Sequence, residues 1–186
     1  KHTIRLTLPK IGRYQKIVSA LVYRQQALLA PFRYRAATEL DEQLLSPAFD
    51  DTGWELLPPR SYWGGANVNF VMRGTFAVPS SFDAAAPIAL SLLLGNAEQF
   101  SHPEALVYID GEPYAAIDRH HQEVLLKSEF CDGRSHQLLL WGWTGTIGYE
   151  AGKQLFLREC AVVQIDPPTR EFLAGSRTAL ETAELL

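Results

Sequence analysis

The stretch ALVYIDGEPYAAIDRHHQEVLL, Ala105 to Leu126, decides the fold. Leu106, Val107, Tyr108 and Ile109 are strand formers, and Asp110 and Gly111 follow at once. That pair tolerates the positive φ that a tight two-residue hairpin requires, so the stretch predicts two antiparallel strands joined by a short turn. The chain then returns through Pro113 and Tyr114, reaches Asp118, Arg119, His120 and His121, and runs on as Val124, Leu125 and Leu126. Two readings of the Asp-Arg-His-His group stay open: a site, or a hydrogen-bonded corner of a β-sandwich.

Working outward, the same period of two recurs on both sides. Phe70, Met72, Phe76 and Val78 alternate with Val71, Arg73, Thr75 and Ala77, which predicts a half-buried strand ending at Pro79. Ile88, Leu90, Leu92 and Leu94 share a face in a second strand, which Gly95 and Asn96 end. His136 to Trp143 is almost continuously apolar, as suits a strand covered on both faces. Leu155 to Ile165 predicts the last long strand, stopped by Pro167 and Pro168. Six or seven strands between residues 69 and 167, with no helix between them, argue for an antiparallel β-sandwich of jelly-roll type.

The ends differ. Ile11, Tyr14, Ile17, Val18, Leu21 and Val22 recur at three- and four-residue spacing, predicting an amphipathic helix over Lys10 to Arg24 with Pro9 near its first turn. Residues 25–53 read as irregular, and Thr169 to Leu186 as a helix. The expected organisation is therefore a basic helix and linker over 1–35, packing on the sandwich or a partner, the sandwich itself over 36–168, and a terminal helix over 169–186.

At 186 residues the chain suffices for one domain, burying roughly 70% of the surface its unfolded form exposes. Apolar residues at 47% and charged residues at 20% describe an ordinary globular protein, and no run approaches the roughly 20 apolar residues that span a bilayer. The net charge of −4 hides an asymmetry. Residues 1–38 hold eight bases and no acid, leaving nine bases against 21 acids in the rest, a net of −12. The bases are spread through an amphipathic pattern and the body is acidic, which argues against a nucleic-acid partner and for docking of the basic arm on an acidic protein surface. Cys131 and Cys160 have no metal spacing and are too few for a disulfide framework, so a reducing, cytoplasmic location is expected.

Three groups of residues are candidates for chemistry. Asp118, His120 and His121 are of metal-ligating type. On an extended strand, however, His120 and His121 point to opposite faces, and His102, Glu104 or Glu112 would have to complete a shell that no spacing assembles. The competing reading makes Asp118, Arg119 and His121 braces of a loop or an interface, with no metal bound. Asp50 and Asp51 read as a hydrogen-bonded turn before Trp54, since adjacent carboxylates diverge too far to act as a glycosidase pair. Tyr62, Trp63, Trp141 and Trp143 could form an aromatic platform for a sugar ring; Trp141 and Trp143, two apart, share a face. There is no phosphate loop, nucleophile elbow or paired-cysteine motif, so no catalytic residue is assigned.

In order along the chain, the runs Phe49-Asp50-Asp51-Thr52-Gly53-Trp54, Tyr62-Trp63-Gly64-Gly65, Val107 to Tyr114 and Ile117 to Leu126 resemble the N-terminal domain of the α-mannosidases of glycoside hydrolase family 38. The resemblance implies a galactose-binding-domain-like sandwich with peripheral helices, non-catalytic itself, leading into a catalytic domain of the same polypeptide and helping to build a homo-oligomer. That family's zinc is bound partly through a His-x-Asp motif. The nearest strings here are His102-Pro103-Glu104 and His121-Gln122-Glu123, so zinc and catalysis are expected only in the further domain. The alternative is a stand-alone carbohydrate-binding module that takes a mannoside glycan on the four aromatics.

Overall fold

The computed structural model describes residues 4–83, 85–95, 103–146 and 153–185; His102 and Asn96 fall outside these ranges. Twelve strands in the described residues run antiparallel to their neighbours: β1 Tyr23–Leu28, β2 Phe32–Ala36, β3 Glu55–Leu57, β4 Ser61–Trp63, β5 Asn69–Phe76, β6 Ile88–Ser91, β7 Glu104–Ile109, β8 Glu112–Ile117, β9 Glu123–Leu125, β10 His136–Trp143, β11 Leu155–Leu157 and β12 Ala161–Ile165. A six-stranded sheet has the order β3-β2-β5-β10-β7-β8, a four-stranded sheet the order β1-β12-β6-β9, and β11 pairs with β4 as a ribbon. Helices α1 Ile4–Ser19 and α2 Pro167–Leu185 stand at the two ends of the chain and pack on each other. The jelly-roll-type β-sandwich with peripheral helices expected from the strand pattern is the observed architecture.

Side-chain alternation builds the core. Phe70, Met72, Phe76, Val107, Ile109, Leu138 and Leu140 point inward from the large sheet and meet Ile88, Leu90, Val124 and Val162 of the small one. The hairpin turns where the sequence placed it. Asp110 has φ 51° and Gly111 φ 87°, both left-handed, as a two-residue turn between strands demands. Strand β10 owes its continuous apolarity to cover on both faces, because Leu139 lies on the opposite face with Val71 and Leu44.

That outer cover is a folded-back loop. Leu44, Phe49 and Trp54 from residues 37–54 sit over Val71 and Leu139, and the loop is tied down by Arg73, only 4% exposed. Arg73 donates to the carbonyls of Leu44 and Ser46 and, at 2.8 Å, to Asp51 Oδ2. Asp50 behaves as a turn residue, its Oδ1 accepting the Thr52 amide at 3.0 Å and the Thr52 hydroxyl at 2.7 Å.

Three expectations need correction. The N-terminal helix ends at Ser19, not Arg24, and includes Pro9; residues 23–28 and 32–36, read as helix end and irregular chain, are β1 and β2. Tyr23, Gln25 and Ala27 alternate in burial with Arg24, Gln26 and Leu28, and pairing with β12 overrides the helical spacing of Leu21 and Val22. The run Leu155 to Ile165 is two strands in different layers, because the chain passes from the ribbon to the small sheet between Leu157 and Ala161. Pro167 and Pro168 open α2 as well as ending the strand. Asp166 caps that helix by accepting the Thr169 amide at 3.1 Å, and proline is tolerated in a first turn, where its missing N–H has no partner to lose. No helix among the described residues is long and apolar enough to cross a membrane.

Candidate functional site

The outer face of the large sheet is covered by residues 37–54 at one end only. At the other end lies an open groove of about 480 Å³, lined by Asn69, Glu104, Leu106, Ala116, Asp118, His121, Trp141, Trp143 and the intervening backbone. Strand register explains why these residues meet. Asn69, Trp143 and Glu104 stand directly opposite one another across β5, β10 and β7, and Trp141, Leu106 and Ala116 do the same across β10, β7 and β8. Two cross-strand rows therefore share a face, one row bearing polar ends and the other apolar. Asp118 and His121 follow β8 and close the groove at its edge.

Gly142, between the two tryptophans, is required by the packing. A Cβ there would lie 2.2 Å from the Glu104 carbonyl oxygen and 2.7 Å from Ala105 Cβ, so no side chain fits where β10 meets β7. Trp143 is held from behind: its Nε1–H donates to Asn67 Oδ1 at 2.8 Å. Asn67, in the left-handed region at φ 59°, donates its own amide to the Gly145 carbonyl at 2.9 Å. The buried Thr144 hydroxyl donates to Gly65 O at 2.6 Å and accepts the Val68 amide at 2.9 Å, tying the two loops together. Trp141 keeps its own Nε1–H buried with no acceptor among the described residues.

The Asp118 loop is equally well fixed. Asp118 Oδ1 accepts the amides of His120 at 2.7 Å and His121 at 2.8 Å, and His121 Nδ1 lies 3.0 and 3.1 Å from the two carboxylate oxygens. The His121 imidazole first, then these amides, hold the carboxyl down to about 2, so it is ionised at any ordinary pH. Arg119 donates its Nε to His120 Nε2 at 2.9 Å.

The four aromatics of the sequence reading separate into three places. Trp63 is buried, donates Nε1–H to the Leu94 carbonyl at 3.0 Å and stacks edge-on with Tyr34 and Phe70, so it offers no ring face to a ligand. Tyr62 is exposed on the ribbon, paired with Phe156 at 5.1 Å between centroids. Only Trp141 and Trp143 remain together, and they are joined by Asp118 and His121, which the sequence placed in a separate group. Glu104, named in the sequence only as a possible metal ligand, lines the same groove, whereas Glu112 belongs to β8 at the far end of the hairpin. Among the described residues no three His, Cys, Asp or Glu side chains come together as a metal-binding group.

A second cavity, of about 540 Å³, lies between α2 and the small sheet and is lined by Tyr23, Ser91, His120, Glu123, Arg170 and Arg177 among others. Glu123 is already engaged there, by the Tyr23 hydroxyl and by Arg170 at 2.5 Å. Burial and the Glu123 carboxylate push the Tyr23 phenol up to about 12. This cluster joins α2 to β1 and β9. A third polar group, also missed in the sequence, is His136. Its Nδ1 lies 2.7 Å from Asp110 Oδ2 and its Nε2 3.0 Å from Asp132 Oδ1, pinning the hairpin tip to the turn before β10. Nothing in the spacing of these three residues signals the contact.

No family model and no curated protein matches the sequence. Solved structures do. The chain superposes on a β-glucuronidase of Bacteroides uniformis with a TM-score of 0.50 at 12% identity, covering 75% of this chain and 18% of that one. A β-glucuronidase of Ruminococcus gnavus gives 0.50 at 11%, covering 77% and 29%. A glycosyl hydrolase family 2 member of Bacteroides cellulosilyticus gives 0.51 at 9%, covering 77% and 21%. At such identities the likeness is one of fold. It overturns the resemblance to family 38 α-mannosidases: the structures matched are β-glucuronidases and a glycosyl hydrolase family 2 member. Zinc had been implied by that resemblance alone. The chain spans between about a fifth and three tenths of the length of these neighbours.

Proposed function

We propose that this chain is a non-catalytic β-sandwich module of a glycoside hydrolase, docking on a catalytic domain that carries the hydrolysis. The observation that supports it best is the fold likeness itself: three quarters of this chain superpose on a minor share of three glycoside hydrolases. The chemistry agrees in kind. The Asp118 carboxylate is held by the amides of His120 and His121 and by the His121 ring, contacts that suit a binding or bracing group.

Docking has a surface. Ile11 is 37% exposed, Tyr14 66%, Ile17 63% and Leu21 61%, and they form one stripe along α1 and the turn after it. Arg13 and Lys16 lie between them and Lys10 just before Ile11, so the stripe suits an apolar surface bordered by acids.

The test is hydrolysis of a panel of aryl glycosides, β-glucuronide and β-galactoside included, by the 186-residue chain and by the full polypeptide of which the reading makes it part. Activity is expected from the full polypeptide alone. Turnover by the isolated chain, or a full polypeptide that cleaves no glycoside, would sink the reading.

A further inference from the structure

We propose that the groove on the outer face of the large sheet binds a neutral pyranose sugar, with the Trp143 ring as stacking platform and the Asp118 and Glu104 carboxylates as acceptors for its hydroxyls. A pyranose presents a flat C–H face and a rim of O–H donors, so its site needs an aromatic plane beside fixed acceptors. The groove supplies both within one volume of about 480 Å³, inside the range typical of small-molecule sites. Trp143 and Leu106, at 37% and 42% exposure, are its open apolar surface, and Asn69, Glu104, Asp118 and His121 its polar groups.

The site is built before any ligand arrives. Asn67 fixes the indole of Trp143 through its Nε1–H, leaving the ring no need to reorganise, and the amides of His120 and His121 fix Asp118. Pre-organisation of this kind lowers the ordering cost of binding. Among the described residues three bonds reach Asp118 Oδ1, whereas Oδ2 receives the His121 ring alone, at 3.1 Å, and keeps lone pairs for a ligand.

Charge selects the sugar class. Among the described residues the lining holds two carboxylates and no lysine or arginine, so a uronic acid would bring a third negative charge beside them, and a neutral hexose none. This is a different preference from the glucuronides that name two of the structural neighbours. The inference takes its ligand class from the glycoside hydrolase reading and its position from the register of β5, β10, β7 and β8.

Saturation-transfer NMR and tryptophan fluorescence of the 186-residue chain, titrated with methyl glycosides of neutral hexoses and with glucuronate, test it. Neutral glycosides are expected to saturate with Kd on the order of 1 mM, and glucuronate to bind about tenfold more weakly or worse. Trp143→Ala should weaken binding about tenfold or more. Ala116→Trp, at an exposed strand position, should do the same by filling the groove while leaving Trp143 and its support intact, and Tyr62→Ala on the distant ribbon should change nothing. The proposal is overturned if no neutral glycoside saturates, if affinity survives both groove variants, or if glucuronate binds as tightly as the neutral sugars. Hydrolysis by the isolated chain would bear on the module reading and leave these binding outcomes to stand or fall alone.

Discussion

Replacing Arg73 by methionine should cost this protein about 3 kcal/mol. The guanidinium is buried, with its Nε on Asp51 Oδ2 and its other nitrogens on the Leu44 and Ser46 carbonyls, and it lies 5.3 Å from the Phe49 ring. Removing one partner of a buried ion pair costs about 3–5 kcal/mol, because the other charge stays behind without compensation. Asp51 keeps 25% of its side chain exposed, so water takes up part of that charge and the lower end applies. Two carbonyls that lose a donor add about 1 kcal/mol or more each if they stay dry. The unbranched methionine restores some packing, which offsets part of that sum. A well-packed apolar replacement can rival a buried ion pair when both partners are changed, but here Leu44 O and Ser46 O cannot be changed, and that decides the sign. For a chain of this length about 3 kcal/mol corresponds to roughly 6–12 °C in Tm. Guanidinium titration of the wild type, Arg73→Met, Asp51→Asn and the double variant measures the loss and the coupling. A loss under about 1 kcal/mol for Arg73→Met, or strict additivity of the pair, would refute the claim that this arginine holds the 37–54 loop on the sheet.

Other predictions are as direct. Gly142→Ala should cost about 2–3 kcal/mol, since β7 has to move away from a Cβ that would sit 2.2 Å from Glu104 O; faster amide exchange along β7 is the accompanying sign, and an unchanged melt would refute it. Burial alone would lower the His136 pKa, but its bonds to Asp110 and Asp132 outweigh that and raise it above the ordinary 6.5. A raised folded pKa stabilises fully below 6.5 and is lost as pH climbs through the folded value, so Tm should fall on the alkaline side and His136→Gln should flatten that fall. Asp132, held down to about 2 by Arg134 and then by His136, works oppositely: its contribution is present above the ordinary 3.8 and disappears toward pH 2, as melts of Asp132→Asn would show by a flattened acid limb. Tyr14→Glu with Ile17→Glu should leave the melting of the isolated chain within about 0.5 kcal/mol per site, because both side chains are exposed. In the proposed full polypeptide the same pair should loosen docking, read as separate melting of the module; a single unchanged transition would count against α1 as the interface.

Much of the fold was legible because strand periodicity and turn chemistry are local. Asp110 and Gly111 gave the hairpin, and the alternation of Phe70 to Phe76 and the closed run of β10 gave the large sheet. The misread segments are those where local spacing and tertiary pairing disagree. Leu21 and Val22 continue a helical spacing, yet Tyr23 to Leu28 extend because β12 offers an unpaired edge. Leu155 to Leu157 and Cys160 to Val163 are apolar runs parted only by Arg158 and Glu159, and apolarity says nothing of which sheet a residue joins. The groove was half visible. Trp141 and Trp143 share a face by parity alone, and Asp118 and His121 stand in one short run as metal-ligating or loop-bracing types. That these two groups face one another depends on the register that sets Leu106 beside Trp141 and Ala116 beside Leu106.

The sequence by itself determined the antiparallel sandwich, its hairpin and the amphipathic character of α1, because each follows from residues within one turn or one strand. Tertiary structure alone decided that Trp63 is core while Trp143 is open, that Arg73 is buried beneath a loop 22 to 29 residues before it in the chain, and that His136 joins Asp110 to Asp132. These are contacts across strands or layers. A two-residue period tells which face a side chain takes; only the closing of the sheets tells what the opposite surface brings to meet it.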